Sequence, residues 1–199
     1  MNLNYYLDIK LTDISKFTTM DIKKVYQHFH TIVGKSEGCI AVSFPEWSDH
    51  SIGGAIRFLG SEDQLQFISR SAWLNQNLER GLLDVSRIKK VPESTTTYYR
   101  FFRNRSIEKQ TPAFFERIKR RYARKNKEHL FNKPHLEESI QTRVQSIVHA
   151  IPVDSSSTAQ KGFVLFITRE QVECPFDLQS NLKFSSYGLA PQGLGVPHF

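Results

Sequence analysis

The sequence predicts an α+β fold made of two unlike halves. Three observations carry this. Strand-like and helix-like periods alternate along residues 4–88 in the order β-α-β-β-α-β. The stretch VPESTTT (91–97) then interrupts the chain with no apolar period. Beyond it come a strongly basic helical segment, two strand-like runs and a tail rich in Gly and Pro.

In the first half, NYYLDIKL (4–11) alternates aromatic and branched residues with polar ones, as a strand does. Ile22, Val25, Tyr26, Phe29, Ile32 and Val33 recur at three- and four-residue steps, which predicts a helix over about 19–34 that Gly34 can end. CIAVSF (39–44) is a strand stopped by Pro45, and GAIRFLG (54–60) is another. SEDQLQFISRSAWL (61–74) opens on a Ser cap with acidic residues in its first turn, so one helix is expected there. LLDVSRI (82–88) is the last strand of this half. The order is the ferredoxin-like βαββαβ pattern, which RNA-recognition modules share and which assigns no function alone.

A domain of residues 1–90 is therefore expected, followed by a second α+β domain over 97–199. In the latter, TYYRFFRNR (97–105) fits an exposed strand or arm. An arginine-rich helix over 112–126 follows, then a polar connector (125–137) and a second helix near 137–148. IPVDSSSTAQKGFVLFI (151–167) reads as strand, Ser-rich turn and strand, and YGLAPQGLGVPHF (187–199) as loop and turn.

Composition narrows the function classes. No apolar run approaches the ~20 residues of a membrane helix. Asp8 interrupts the N-terminal apolar stretch where a signal peptide needs continuity, which predicts a cytoplasmic protein. Cys39 and Cys174 match no metal-ligand spacing and read as buried thiols. The net charge of +7 is localised: residues 100–127 hold eleven Lys/Arg against Glu108 and Glu116, a local +9, so the other 171 residues sum to −2. An excess confined to one segment is an electrostatic footprint.

That segment organises itself as a helix with two faces. Thr111 can cap it and Pro112 suits its first position. At about 100° per residue, Phe114, Phe115, Ile118 and Tyr122 fall in one sector, and Arg117, Arg120, Arg121 and Arg124 fill the one beside it. A solvated helix would mix signs for i,i+4 pairing, and only Glu116 offers the opposite sign here. Guanidinium forks at these steps match phosphates along a nucleic-acid groove. Without a helix-turn-helix, zinc module or basic zipper, a structured RNA is the favoured partner.

Cleavage of RNA is within reach of these residues. Metal-dependent nucleases need clustered carboxylates, and none stands out. Metal-free cleavage uses the substrate's own 2′-OH, so the protein need only orient it, move protons and stabilise the phosphorane. His28 and His30 lie on opposite edges of the apolar stripe of the first helix, and periodicity does not choose between them. Ser155, Ser156 and Ser157 could be just a turn, and Tyr187 a packed tyrosine.

Taken together and in order, NYYLDIKL, IAVSFPEW, the ERIKRRYARK helix, SSSTAQKGFVLFI and SSYGLAPQGLGVPHF resemble the CRISPR-associated endoribonuclease of subtype I-F, the Csy-four branch of the Cas-six family. The resemblance spans nearly the whole chain. It implies an enzyme that needs no metal or other cofactor, binds the hairpin of a CRISPR repeat and cuts at its base to a 2′,3′-cyclic phosphate and a 5′-hydroxyl. It also implies partners: the CRISPR RNA repeat hairpin and the other subunits of a type I-F effector complex, with no membrane. The family's catalytic histidine follows a hydrophobic residue late in the first helix, which Phe29-His30 matches best, with His28 as the alternative. Its ribose-positioning serine falls on Ser155 or, second, Ser157; its active-site tyrosine on Tyr187; its stacking phenylalanine on Phe163. Arg103 matches a linker arginine that reads a guanine near the stem base, and Arg105 stands where the family often has Gln. On the helix, Arg120, Arg121, Arg124 and Lys125 match the groove-contacting cations, Lys125 in place of an arginine and so without the bidentate fork.

Overall fold

The computed structural model describes residues 3–12, 21–108, 112–143, 147–155, 160–173 and 183–199. Thr111, Ser156, Ser157 and Cys174, named above, lie outside the described residues.

Alternation in the first strand decides where the core lies. In β1 (Tyr5–Leu11), Leu7 and Ile9 face one way and are buried. They join Val25, Phe29 and Val33 of α1 (Ile22–Lys35) and Leu65 and Ile68 of α2 (Glu62–Ser69) in one apolar cluster. Asp8 points the other way yet is also buried, because Arg57 stands directly opposite it on β3 (Ala55–Gly60). The guanidinium forks onto the carboxylate at 2.6 and 2.9 Å, donates to the Phe199 carbonyl at 2.9 Å, and lies over the Tyr6 and Phe199 rings. With β2 (Ala41–Ser43) and β4 (Leu83–Val85) the sheet has the antiparallel order β2-β3-β1-β4.

Three expectations for this half change. The helix foreseen over 61–74 is two helices, α2 and α3 (Ala72–Glu79), because the chain leaves helical geometry at Ser71, whose ψ is 124°. The strand foreseen over 82–88 is only β4, with a short β5 (Lys89–Lys90) beside the start of β1. Gly34 does not end α1, which is capped by Asp21 and runs on to Lys35.

The second sheet has the order β7-β8-β6-β9. Its strands are β6 (Thr97–Arg103), β7 (Val148–Ser155), β8 (Gln160–Val172) and β9 (Val196–His198). Residues 97–103 are therefore an internal strand, not an exposed arm, and the tail supplies a strand as well as turns. Phe101 explains this. It is fully buried against Phe44 and Trp47 of the first half, at ring distances of 5.5 and 5.6 Å, so one core serves both sheets. Between β6 and β7 lie a short α4 (Arg105–Glu108), the basic α5 (Pro112–Arg124), a 3-10 turn (Glu128–Leu130) and α6 (Lys133–Arg143). Helix α6 begins four residues earlier than its expected start at 137, where the Asn132 side chain accepts the His135 N–H.

Candidate functional site

One stripe of α1 meets the tail. Tyr26, His30, Gly34 and Gly38 follow at four-residue steps, the first three on the helix and Gly38 just past it. The segment 183–188 crosses this stripe antiparallel to it. Lys183 and Phe184 lie over Gly38, where an added Cβ would come within 2.8 Å of Lys183 Cβ and 2.5 Å of the Phe184 carbonyl oxygen. Ser186 lies over Gly34, with its carbonyl 3.2 Å from the Cβ an alanine would carry. The Tyr187 carbonyl accepts the Tyr26 hydroxyl at 2.8 Å. Tyr26 is fully buried, and burial, then the neighbouring Tyr187, holds its phenol well above the ordinary range. The protonated donor is thus kept on Tyr187, and losing this buried bond would cost about 1–3 kcal/mol.

Gly188 fixes the turn in place. Its φ is +72°, and a Cβ there would lie 2.5 Å from Val42 Cγ2 and 2.9 Å from Val33 Cγ1. Its carbonyl accepts the Val42 N–H at 2.9 Å, while the Ser185 hydroxyl accepts the N–H groups of Tyr187 and Leu189. The Tyr-Gly pair of the tail is therefore wedged between α1 and β2.

The two histidines of α1 face different company. The His28 ring is stacked on Trp73 at 4.2 Å, with Nε2 3.3 Å from the Ser71 hydroxyl, and burial, then the nearby His30, lowers its pKa. It serves the packing of α1 on α3. His30 sits on the stripe between the two points, Tyr26 and Gly34, where the tail touches the helix. Its Nδ1 lies against the Gln27 carbonyl. A carbonyl can only accept, so Nδ1 carries a proton there and Nε2 is the ring nitrogen left to act as a base.

Next to the turn is a cleft of about 330 Å³ lined by Arg100, Phe102, Arg103, Arg105, Lys183 and Tyr187, among others. Arg100 is tied to Glu170 at 3.0 Å and lies over the Phe102 ring. Between the other two arginines Asn104 acts as the anchor. It is buried, donates its N–H to the Phe166 carbonyl at 2.7 Å and its side-chain amide to Thr168 at 3.1 Å, and accepts the Ser106 N–H. That fixes the linker from which Arg103 and Arg105 spring.

On α5 the expected two faces are present. Phe115 is buried and Phe114 and Ile118 are half-buried, while Tyr122, the last of that sector, is exposed and leans on Phe131 at 6.0 Å. Arg117, Arg120, Arg121, Arg124 and Lys125 are all exposed. A second basic cleft, about 360 Å³, runs along Ile118, Arg121, Tyr122, Lys125 and Lys127.

Residues 6–199 match the family described as CRISPR-associated protein (Cas_Csy4). The chain belongs to the Csy4 family of type I-F CRISPR systems. No curated protein matches it. In this Csy4 protein the strand that ends at Ser155 packs against α1, and Ser155 pairs with Gln160 across the β7–β8 hairpin. Phe163 pairs with Val153 on the same hairpin. Sequence reasoning missed Asn104, although Asn followed two residues later by Ser signals a side-chain-capped turn. It also missed Arg100 and Lys183 as walls of the cleft, since nothing local marks residues that only the fold brings together. No helix among the described residues is long and apolar enough to cross a membrane.

Proposed function

We propose that this Csy4 protein is a metal-independent endoribonuclease of CRISPR RNA processing. It binds the repeat hairpin, cuts at the base of the stem in the cytoplasm, and stays on its product as a subunit of the RNA-guided surveillance complex. What supports this reading is the cation-lined cleft beside Tyr187, on a tail that touches α1 at Tyr26 and Gly34, on either side of His30. Residues 1–90 form a ferredoxin-like domain, a reading the β2-β3-β1-β4 order supports, and bring His30. Residues 97–199 form the RNA-binding domain and bring Tyr187, the cleft and the arginine ridge.

In this reaction the 2′-oxygen at the stem base attacks the adjacent phosphorus. The P–O2′ bond forms as the P–O5′ bond breaks, giving a 2′,3′-cyclic phosphate and a 5′-hydroxyl. Nε2 of His30 takes the 2′-OH proton, and the departing 5′-oxygen takes one from solvent. Ser155 or Ser157 holds the ribose and Tyr187 the nucleotide beside it, with Phe163 stacking on a base. Arg103 and Arg105 read the stem base, while Arg117, Arg120, Arg121, Arg124 and Lys125 follow the groove.

The test is repeat-hairpin RNA incubated with protein in excess EDTA. Wild type should cut at its full rate, and His30→Ala should cut about 10²–10⁴-fold more slowly while binding the hairpin normally. Binding without any cutting by wild type would instead support an RNA-binding protein that has kept only that role. Activity lost in EDTA and restored by magnesium would overturn the mechanism.

A further inference from the structure

We propose that Lys183 contacts the scissile phosphate and stabilises its charge as the bond breaks; the assignment rests on the endoribonuclease reading above. Four cations line the cleft beside Tyr187: Arg100, Arg103, Arg105 and Lys183. Arg100 is already committed, paired with Glu170 and laid over Phe102. Arg103 and Arg105 come from the linker side, where Asn104 anchors the chain to β8. Lys183 alone of the four comes from the tail wall, the one that carries Tyr187.

Its backbone is held where it is needed. The Phe184 N–H donates to the Gly38 carbonyl at 3.2 Å, and Lys183 Cβ sits over Gly38, whose missing side chain makes room for it. Lys183 thus starts beside Gly38, in the turn that follows the helix carrying His30. The side chain is exposed, and among the described residues it has no carboxylate partner. As the 2′-oxygen attacks, the phosphorus becomes five-coordinate and its non-bridging oxygens gain negative charge. An ammonium is a compact charge with three donors on a flexible stem, which suits such oxygens, whereas planar guanidinium forks suit base edges and backbone phosphates. The cations of the cleft therefore have separate roles, with Arg103 and Arg105 recognising the RNA and Lys183 meeting the reacting group.

The experiment is single-turnover cleavage of the repeat hairpin at saturating protein by wild type, Lys183→Ala and Lys183→Arg. Affinity is measured separately on a hairpin carrying one 2′-deoxy nucleotide at the cut. Lys183→Ala should cut about 10- to 100-fold more slowly, less than the loss of a buried oxyanion donor because water can partly replace an exposed ammonium. Its affinity should stay within about threefold of wild type, since one of many phosphate contacts is lost. Lys183→Arg keeps the charge but not the compact ammonium and should recover only part of the rate. If wild type cuts and Lys183→Ala cuts equally fast at saturation, the assignment is wrong and the endoribonuclease reading stands. A wild type that binds but never cuts overturns both.

Discussion

His28 and His30 are two positions apart, and the sequence places them on opposite edges of one apolar stripe. Periodicity fixes the stripe but not what packs on each edge, because that depends on Trp73 and on the tail, residues 45 to 157 positions away. The burial of His28 has a measurable cost. Its folded pKa lies below the ordinary 6.5, so the unfolded chain binds this proton first as pH falls. Stability should be intact above that value, decline as pH drops through the window below it, and level off beneath the folded pKa. Urea denaturation at about pH 7.5 and pH 5.5 should show the loss, and His28→Gln should make it smaller. The fall should not vanish, because burial and the charges of Arg169 and Arg57 lower His198 in the same direction. An identical pH dependence in the variant would mean that His28 is not the group that titrates.

Among the elements, α5 was the most legible. Its proline start and its adjacent apolar and cationic sectors are local properties, and both survive in the fold. The two exposed arginine turns make a specific demand: several phosphates should be met at once. Changing Arg120 and Arg121 to alanine should shallow the salt dependence of hairpin affinity by about one to two log units per log unit of salt. Affinity should drop steeply, whereas cutting of RNA already bound should barely slow. A fluorescence-anisotropy titration at several salt concentrations reads this, and an unchanged slope would return α5 to the status of a solvated charged helix. Less legible were β6 and β9. An aromatic run such as TYYRFFR is compatible with an edge or a centre, and only the distant β8 and residues 196–198 decide that it is internal. The break at Ser71 was hidden for a similar reason, since its helical period continues through the kink.

Across the whole molecule, the tail ties the two sheets together at two places. At one, the Tyr-Gly turn is wedged between α1 and β2; at the other, Asp8 and Arg57 form a buried pair capped by Tyr6 and Phe199. In the sequence Asp8 was legible only as an interruption of an apolar stretch, because its partner is 49 positions away and the ring above that partner lies 142 positions beyond it. Asp8→Ala would leave a buried guanidinium without its counter-charge, a loss of about 3–5 kcal/mol. The urea midpoint of the variant should fall accordingly, and a midpoint within error of wild type would show that Arg57 finds water or another acceptor.

The crossing of the tail over α1 also sets an order of events during synthesis. Helix α1 leaves the ribosome long before residues 183–188, and α5 leaves in between. The arginine ridge is thus complete while Val42 still lacks the carbonyl of Gly188 and Tyr26 that of Tyr187. Under the proposed function, a growing chain would hold RNA on its arginine ridge before residues 183–188 have closed against α1.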